Sequence, residues 1–186
     1  MNAKDFSISE YSSYIVFITG GTKSGKSEFA EHLANGIKKL SYVALSENNL
    51  DDKAWQDKIN LHRKRRPKDW KLIETTDLLN TLRNEEGPLL IDSIGGFVMK
   101  SIGKEQNEWS TKMNSLISLL TKRKSITIIV GEQVGWSLVS EYKIGNRYIE
   151  RIGEIQKRIT KISKDNWLAI NGRAIKIDEI SIEIPN

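Results

Sequence analysis

Short apolar runs alternate with amphipathic segments along most of this chain. Four of the runs are rich in β-branched residues and have the length of buried strands, at 14–19, 42–45, 88–92 and 125–130. Apolar residues recur every three or four positions in three further segments, which predicts helices at about 27–39, 109–121 and 144–162. Because strands alternate with helices, we expect an α/β fold with a mostly parallel sheet and helices on both faces.

The C-terminal part of the chain has the pattern of a β-hairpin. Apolar runs at 167–170 and 173–177 flank Asn171-Gly172, a pair that suits a type I′ turn and predicts an antiparallel edge. We expect one domain at 14–177, preceded by a flexible leader at 1–13 and followed by a tail at 178–186. Alternating isoleucines in the tail favour an added edge strand.

The composition narrows the class of protein. The chain has 186 residues, of which 38% are hydrophobic, enough for one ordinary globular core. It has no cysteine and two histidines, which excludes disulfide scaffolds, thiol catalysis and metal sites built from several histidines. The apolar runs are too short to span a bilayer, and residues 1–13 lack the apolar core of a secretory signal. We therefore expect a cytoplasmic protein without a membrane span.

The net charge favours an anionic partner but does not identify which kind. The chain carries 29 Lys and Arg residues against 24 Asp and Glu residues, a net charge of +5. A basic protein attracts polyanions, and phosphorylated metabolites meet that description as well as nucleic acids do.

The most informative motif lies between the first strand and the first helix. It follows G-x-x-x-x-G-K-[ST], the pattern of a phosphate-binding loop, and consists of Gly20, Gly21, Thr22, Lys23, Ser24, Gly25, Lys26 and Ser27. Glycines allow successive backbone N–H groups to face one anion, and the helix N-terminus adds its positive dipole. Lys26 can reach the β- and γ-phosphates, and the Ser27 hydroxyl can bind Mg²⁺. The alternative is a chance glycine-rich turn.

Two acidic residues follow later strands. Asp92 ends the run 88–92, the position that holds Mg²⁺ in phosphate-loop enzymes. Glu132 follows the run 125–130, where a carboxylate can orient substrate, contact magnesium or accept a proton. The alternatives are an ordinary strand-ending aspartate and a solvated loop glutamate.

His62 lies beside a run of four cations, residues 63–66. Asp51 or Asp52 predicts the start of a helix that carries His62 and ends before Pro67. A single histidine on an apolar helix face is most often a core residue. Here the neighbouring cations, Arg63 and Arg66 among them, would attract a polyphosphate and keep the imidazole neutral and nucleophilic. His62 is therefore a candidate for covalent catalysis at phosphorus.

Together these segments resemble the bifunctional adenosylcobinamide kinase / adenosylcobinamide-phosphate guanylyltransferase family of cobalamin biosynthesis. The likeness covers about residues 14–176, and its most specific part is His-Arg-x-x-Arg-Pro-x-x-Trp at 62–70. The other matching segments are 18–31, 42–44, 57–61, 90–93 and 130–139.

The resemblance implies a P-loop, RecA-like nucleotide-binding fold and two reactions. A nucleoside triphosphate, ATP or GTP, held by Lys26, Ser27 and Mg²⁺ would phosphorylate a hydroxyl of adenosylcobinamide. His62 would then be guanylylated by GTP and pass GMP to the phosphorylated corrinoid, with residues 20–27, Arg63 and Arg66 binding the nucleotide. Asp92 would hold Mg²⁺, Glu132 matches an acidic family position near the nucleotide, and homo-oligomers, including trimers, are expected.

Three other functions stay open at this point. One is a kinase alone, with His62 structural. A second is a GTPase-like switch, although the segment 121–124, Thr-Lys-Arg-Lys, lacks the aspartate of the guanine-recognition motif. A third is a nucleic-acid-binding module that uses residues 63–66, where stacking aromatics are sparse. We expect neither nucleic acid nor membrane as a partner.

Overall fold

The structure, a computed structural model, describes residues 14–45, 67, 69–136 and 140–185. Its strands are β1 Ile15–Gly20, β2 Ser41–Ala44, β3 Lys71–Glu74, β4 Leu89–Asp92, β5 Thr127–Glu132, β6 Asp165–Ile170 and β7 Arg173–Lys176. Its helices are α1 Lys26–Ala34, α2 Leu78–Asn84, α3 Gly95–Lys100, α4 Gln106–Lys122 and α5 Lys143–Ile162. A 3₁₀ turn, Ile177–Glu179, follows β7.

The seven described strands form one sheet in the order β3-β2-β4-β5-β1-β6-β7. All pairs are parallel except β6 with β7. The register aligns Gly20 with Glu132, and Asp92 with Val130. The carboxyl ends of β1, β4 and β5 therefore meet at one edge of the sheet, where parallel α/β sheets bind their ligands.

Alternate strand residues face opposite sides of the sheet, and helices cover both. Val16 and Ile128 pack with Leu33 of α1 on one side. Phe17 packs with Ile155 of α5 and with α4 on the other side. The middle strands are buried on both faces, so their sequences are continuous apolar runs.

The predicted α/β architecture and the antiparallel hairpin are confirmed, but three elements were missed. β3 is four residues long with charged residues at both ends, and α3 begins with two glycines. The seven-residue α2 depends on a cap, because the Asp77 side chain accepts a hydrogen bond from the Asn80 N–H at 3.1 Å.

The C-terminal end predicted for α1 is wrong, because the helix ends before Gly36, whose φ is +90°. The helix predicted between residue 51 and Pro67 lies outside the described residues.

The tail forms no strand up to residue 185, so the predicted edge strand is wrong for the part described. Its first turn is tied down, because the Asp178 carboxylate accepts hydrogen bonds from the backbone N–H and side-chain amide of Asn166. Ile180, Ile182 and Ile184 then stand 73%, 90% and 76% exposed. Among the described helices, none is long and apolar enough to cross a membrane.

Candidate active site: the phosphate-binding loop and its carboxylates

The strand–loop–helix context predicted for residues 20–27 is present. β1 ends at Gly20, and α1 begins at Lys26 after Gly25, which has a φ of 93° and adopts the left-handed conformation. The loop closes through a hydrogen bond from the Ser24 N–H to the Gly21 carbonyl at 3.3 Å. The Lys26 ammonium group donates to the same carbonyl at 3.2 Å. The loop thus gathers a lysine, backbone N–H groups and a helix N-terminus around one position, which suits a phosphate.

The β6–β7 hairpin supports the loop from the far side. A Cβ atom on Gly20 would lie 2.4 Å from the Ala169 carbonyl oxygen, so only glycine fits there. The Gly172 N–H donates to the Ser24 carbonyl at 3.0 Å. The Ser24 hydroxyl is buried and finds no hydrogen-bond partner within the described ranges.

Ser27 and Asp92 meet across the strand ends. The Ser27 hydroxyl donates to Asp92 Oδ1 at 3.3 Å, and the Tyr42 hydroxyl donates to Asp92 Oδ2 at 2.5 Å. Tyr42, on β2, was not singled out from the sequence, because its position in an apolar strand marks it as core. Its hydroxyl fixes the orientation of the carboxylate beside Ser27.

Glu132 lies in a half-buried pocket at the end of β5. Its carboxylate accepts hydrogen bonds from the Ser93 hydroxyl and from the Gly95 N–H, the latter at 3.2 Å. Burial raises the pKa of the Glu132 carboxyl, and the charge of Asp92 adds to the rise, whereas Lys26 acts against it. A carboxyl with a raised pKa is a better proton acceptor than an exposed glutamate.

Gly95 and Tyr148 complete this pocket. A Cβ atom on Gly95 would lie 2.4 Å from the Tyr148 hydroxyl and 2.6 Å from Glu132 Oε2. Burial, and then the charge of Glu132, raise the pKa of the Tyr148 hydroxyl, which stays protonated. Sequence reasoning missed Ser93, Gly95 and Tyr148. The position of Ser93 directly after Asp92 was a usable signal, whereas Tyr148 follows only the core spacing of its helix.

Gly95→Ala is expected to lower the free energy of unfolding by about 1–3 kcal/mol, because the new methyl group must displace the Tyr148 hydroxyl and the Glu132 carboxylate. It should also move the Glu132 carboxylate, whose Oε2 atom would lie 2.6 Å from the new Cβ. Urea unfolding measures the loss of stability.

Adding Tyr148→Phe to Gly95→Ala should recover part of the lost stability, because it removes the oxygen nearest the new methyl. Gly103→Ala is the matched control, since a Cβ there meets nothing within 4 Å. Equal effects at the two glycines would contradict a tightly packed pocket at Gly95.

The predicted site residues divide into two sets. The structure brings residues 20–27 together with Asp92 and Glu132 at one edge of the sheet. His62, Arg63 and Arg66 lie outside the described residues.

Comparison with known proteins gives a consistent set of relatives. The family model described as cobinamide kinase / cobinamide phosphate guanyltransferase matches residues 16–177. The bifunctional adenosylcobalamin biosynthesis protein CobU of Escherichia coli strain K12 is 24% identical over 181 residues, covering 88% of this chain and 99% of that protein. The corresponding protein CobP of Pseudomonas aeruginosa is 28% identical over 151 residues, covering 77% of this chain and 86% of its own.

Solved structures support the fold. A protein from Pyrococcus horikoshii OT3 aligns over 95% of this chain and 91% of its own, with a TM-score of 0.55 and 9% identity. An ATPase from the type III secretion system of pathogenic bacteria aligns over 84% of this chain, with a TM-score of 0.50 and 14% identity. This chain spans about half, 51%, of that ATPase chain. The predicted P-loop nucleotide-binding fold is thereby confirmed.

Proposed function

The chain belongs to the cobinamide kinase / cobinamide phosphate guanyltransferase family, and on that premise we propose which of its residues carry the two reactions. Residues 20–27 hold the triphosphate, with Lys26 on its β- and γ-phosphates. Glu132 receives the proton of the attacking hydroxyl. His62 accepts the guanylyl group, and Arg63 and Arg66 bind the nucleotide beside it.

One observation supports the kinase assignment most directly. The phosphate loop, Asp92 and Glu132 come from three strands that are distant in sequence, yet their ends are adjacent in the sheet. The Ser27 hydroxyl lies 3.3 Å from Asp92 Oδ1. The charge of Asp92 raises the pKa of Glu132 and the charge of Lys26 lowers it. A lysine, a hydroxyl and two carboxylates at one edge are the groups that phosphoryl transfer requires.

We propose that Ser27 and Asp92 hold Mg²⁺. Both offer hard oxygen atoms, and the Tyr42 hydroxyl steadies the carboxylate. Across the described ranges no group of three acidic or histidine side chains is arranged to bind a metal. Mg²⁺ is suited to such a sparse set, since it often takes one or two protein ligands together with substrate phosphates. When bound, it neutralises charge on the β- and γ-phosphates.

The phosphoryl transfer itself is a single displacement. The substrate hydroxyl oxygen bonds to the γ-phosphorus, the bond from that phosphorus to the β–γ bridging oxygen breaks, and the nucleoside diphosphate leaves. The hydroxyl proton passes to Glu132. Lys26 stabilises the charge on the phosphates, while the Ser93 hydroxyl and the Gly95 N–H keep the Glu132 carboxylate in place.

Glu132→Gln is expected to lower kcat for phosphoryl transfer about a hundredfold, because the proton loses its acceptor. In the unchanged protein, activity should fall with decreasing pH through a pKa above that of an ordinary glutamate, since protonated Glu132 accepts no proton. A pH–rate profile of both proteins tests this.

Glu132→Gln should lack this fall in activity at acidic pH. Glu86→Gln is the matched control, because Glu86 is exposed and precedes β4 at the opposite edge of the sheet. An acidic limb that persists in Glu132→Gln would assign the proton acceptor elsewhere.

The guanylyl transfer proceeds through two displacements. His62 attacks the α-phosphorus of GTP, a P–N bond forms and pyrophosphate leaves. A phosphate oxygen of cobinamide phosphate then attacks the same phosphorus, and the P–N bond breaks to release the imidazole.

Two features support His62 in this role. The segment His-Arg-x-x-Arg-Pro-x-x-Trp lies inside the range that the family model matches. Its last residue, Trp70, stacks against Tyr42 at 6.4 Å between ring centroids, and Tyr42 donates a hydrogen bond to Asp92. Trp70, at the C-terminal end of the segment, is therefore connected to the proposed magnesium ligand Asp92 through Tyr42.

The proposal also covers the oligomeric state, the location and the domain limits of the enzyme. We propose homo-oligomeric assembly, trimers included, from the resemblance, and a cytoplasmic location from the composition of the sequence. The domain limits at 14 and 177 nearly coincide with the matched range of 16–177.

A further inference from the structure

A buried glutamine stands among the isoleucines on the inner face of α5. Gln156 is 7% exposed, and Ile152, Ile155 and Ile159 of the same helix are buried with it. Moving an amide out of water is unfavourable unless its ends find new hydrogen-bond partners, so an aliphatic side chain is the ordinary choice at such a position. The amide of Gln156 therefore points to a role beyond filling space.

Both ends of the Gln156 amide are paired, and the two partners lie on neighbouring strands. Nε2 donates to the Glu132 carbonyl of β5 at 2.7 Å, and Oε1 accepts from the Thr19 hydroxyl of β1 at 3.3 Å. A backbone carbonyl can only accept, so it determines which end of the amide faces it. The hydrogen bonds therefore run in one direction, from Thr19 through Gln156 to Glu132.

The Glu132 carbonyl lies where regular strand pairing ends. β4 stops at Asp92 and β1 at Gly20, so both strands that flank β5 end at the level of Glu132 or before it. The chain at this point is held by the hydrogen bond from the Gln133 N–H to the Gly20 carbonyl at 2.9 Å, and by the one from Gln156. The amide thus takes over where the sheet no longer supports the backbone.

A glycine leaves the room that this amide occupies. A Cβ atom on Gly131 would lie 2.9 Å from the Phe17 ring and 3.1 Å from Gln156 Nε2. A larger residue at position 131 would therefore push the amide away from the neighbouring carbonyl. Glu132 is held at its carbonyl by α5 and at its carboxylate by the segment that follows β4.

We propose that Gln156 is a positioning residue, which holds the end of β5 so that the Glu132 carboxylate stays directed at the phosphate loop. The inference rests on the proposed function, in which Glu132 receives the proton of the attacking hydroxyl. Because Thr19 directly precedes Gly20, the first residue of the loop, the same amide ties the proton acceptor to the strand that leads into the loop. A displacement of about 1 Å in such a group can slow a reaction by about a hundredfold.

Gln156→Met keeps the length of the side chain and removes both hydrogen bonds. The Glu132 carboxylate should then move toward water, and its pKa should fall back toward that of an ordinary glutamate, because burial is the largest cause of the rise. Asp92, Lys26 and Tyr148 face this carboxylate from β4, α1 and α5, and they are the same in both proteins. NMR titration of the glutamate carboxyl carbons, with Glu132→Gln to assign the resonance, measures the pKa.

The same variant should lower kcat for phosphoryl transfer by about 10- to 100-fold. KM for the nucleotide should stay within about twofold, because the β6–β7 hairpin still supports the loop. The fall in activity at acidic pH should move to lower pH together with the titration. Thr19→Val should act in the same direction but less, because the bond from Gln156 to Glu132 remains, and Thr19→Ser should match the unchanged protein.

Ile159→Val is the matched control, since Ile159 is buried one turn further along the same helix. It should lower the unfolding temperature and leave the Glu132 titration and the pH profile unchanged. A Gln156→Met protein with a lower unfolding temperature but an unchanged titration and kcat would show a structural role only and overturn the inference. If the titration shifts as expected while the unchanged protein does not phosphorylate cobinamide, the proposed function alone fails. Thr19→Val carries the same test if Gln156→Met does not fold.

Discussion

Replacing Lys26 with alanine is expected to lower the rate of phosphoryl transfer to cobinamide by about 10²- to 10³-fold. The ammonium group lies at the centre of the loop, where it donates to the Gly21 carbonyl at 3.2 Å. A bound triphosphate offers it oxygen atoms of far higher charge, and transition-state charge on the γ-phosphoryl group would then lack its positive partner. Steady-state kinetics with γ-labelled nucleotide measure the loss.

Lys124→Ala is the matched control for this variant. Lys124 is exposed and lies just before β5, at the edge of the sheet opposite the loop, so its removal changes the net charge equally. Its rate should stay within about twofold of the unchanged protein, because distant surface charges are largely screened by salt. A similar loss in both variants would indicate general electrostatic attraction instead of a specific role for Lys26.

His62→Asn is expected to abolish covalent labelling of the protein by α-labelled GTP. A guanylyl group on imidazole is held by an acid-labile P–N bond, so the label should be lost in acid and survive in base. The chain has two histidines, and the other is His32, an exposed residue on α1. His32→Asn should therefore keep the full label.

The same variant separates the two reactions. His62→Asn should still phosphorylate cobinamide, because the loop and its carboxylates are unchanged. In the unchanged protein, GTP made chiral at the α-phosphorus should transfer its guanylyl group with net retention, since two inversions cancel. Inversion, or a label that persists in His62→Asn, would remove the histidine intermediate from the mechanism.

The sequence predicts the phosphate loop and the central strands well because local patterns determine them. The positive φ of Gly25 is a property of the loop itself, and a fully buried strand such as β5 needs a continuous apolar run. The need for glycine at position 20 is matched by the motif, although its tightest contact is with the Ala169 carbonyl of β6. The same holds for the Asn171-Gly172 turn, where both residues have positive φ.

The surroundings of Glu132 could not be predicted in the same way. Ser93 and Gly95 follow β4, Glu132 ends β5, and Tyr148 lies on α5, so the pocket exists only after three separate segments pack together. Nothing local marks Tyr148 apart from other core-facing helix residues. β3 was missed for a related reason, because its four residues form a strand by pairing with β2.

The hydrogen bond from Gly172 to Ser24 connects residues almost 150 positions apart and joins the last two strands to the loop at the other end of the chain. Those strands hold no motif residue, so a motif search would treat them as dispensable. A shortened chain that stops before the Asn171-Gly172 turn would keep every residue of the phosphate loop and yet lose the backbone bond that holds Ser24 in place. The smallest fragment of this protein that can bind a nucleotide therefore extends well past its last recognisable motif.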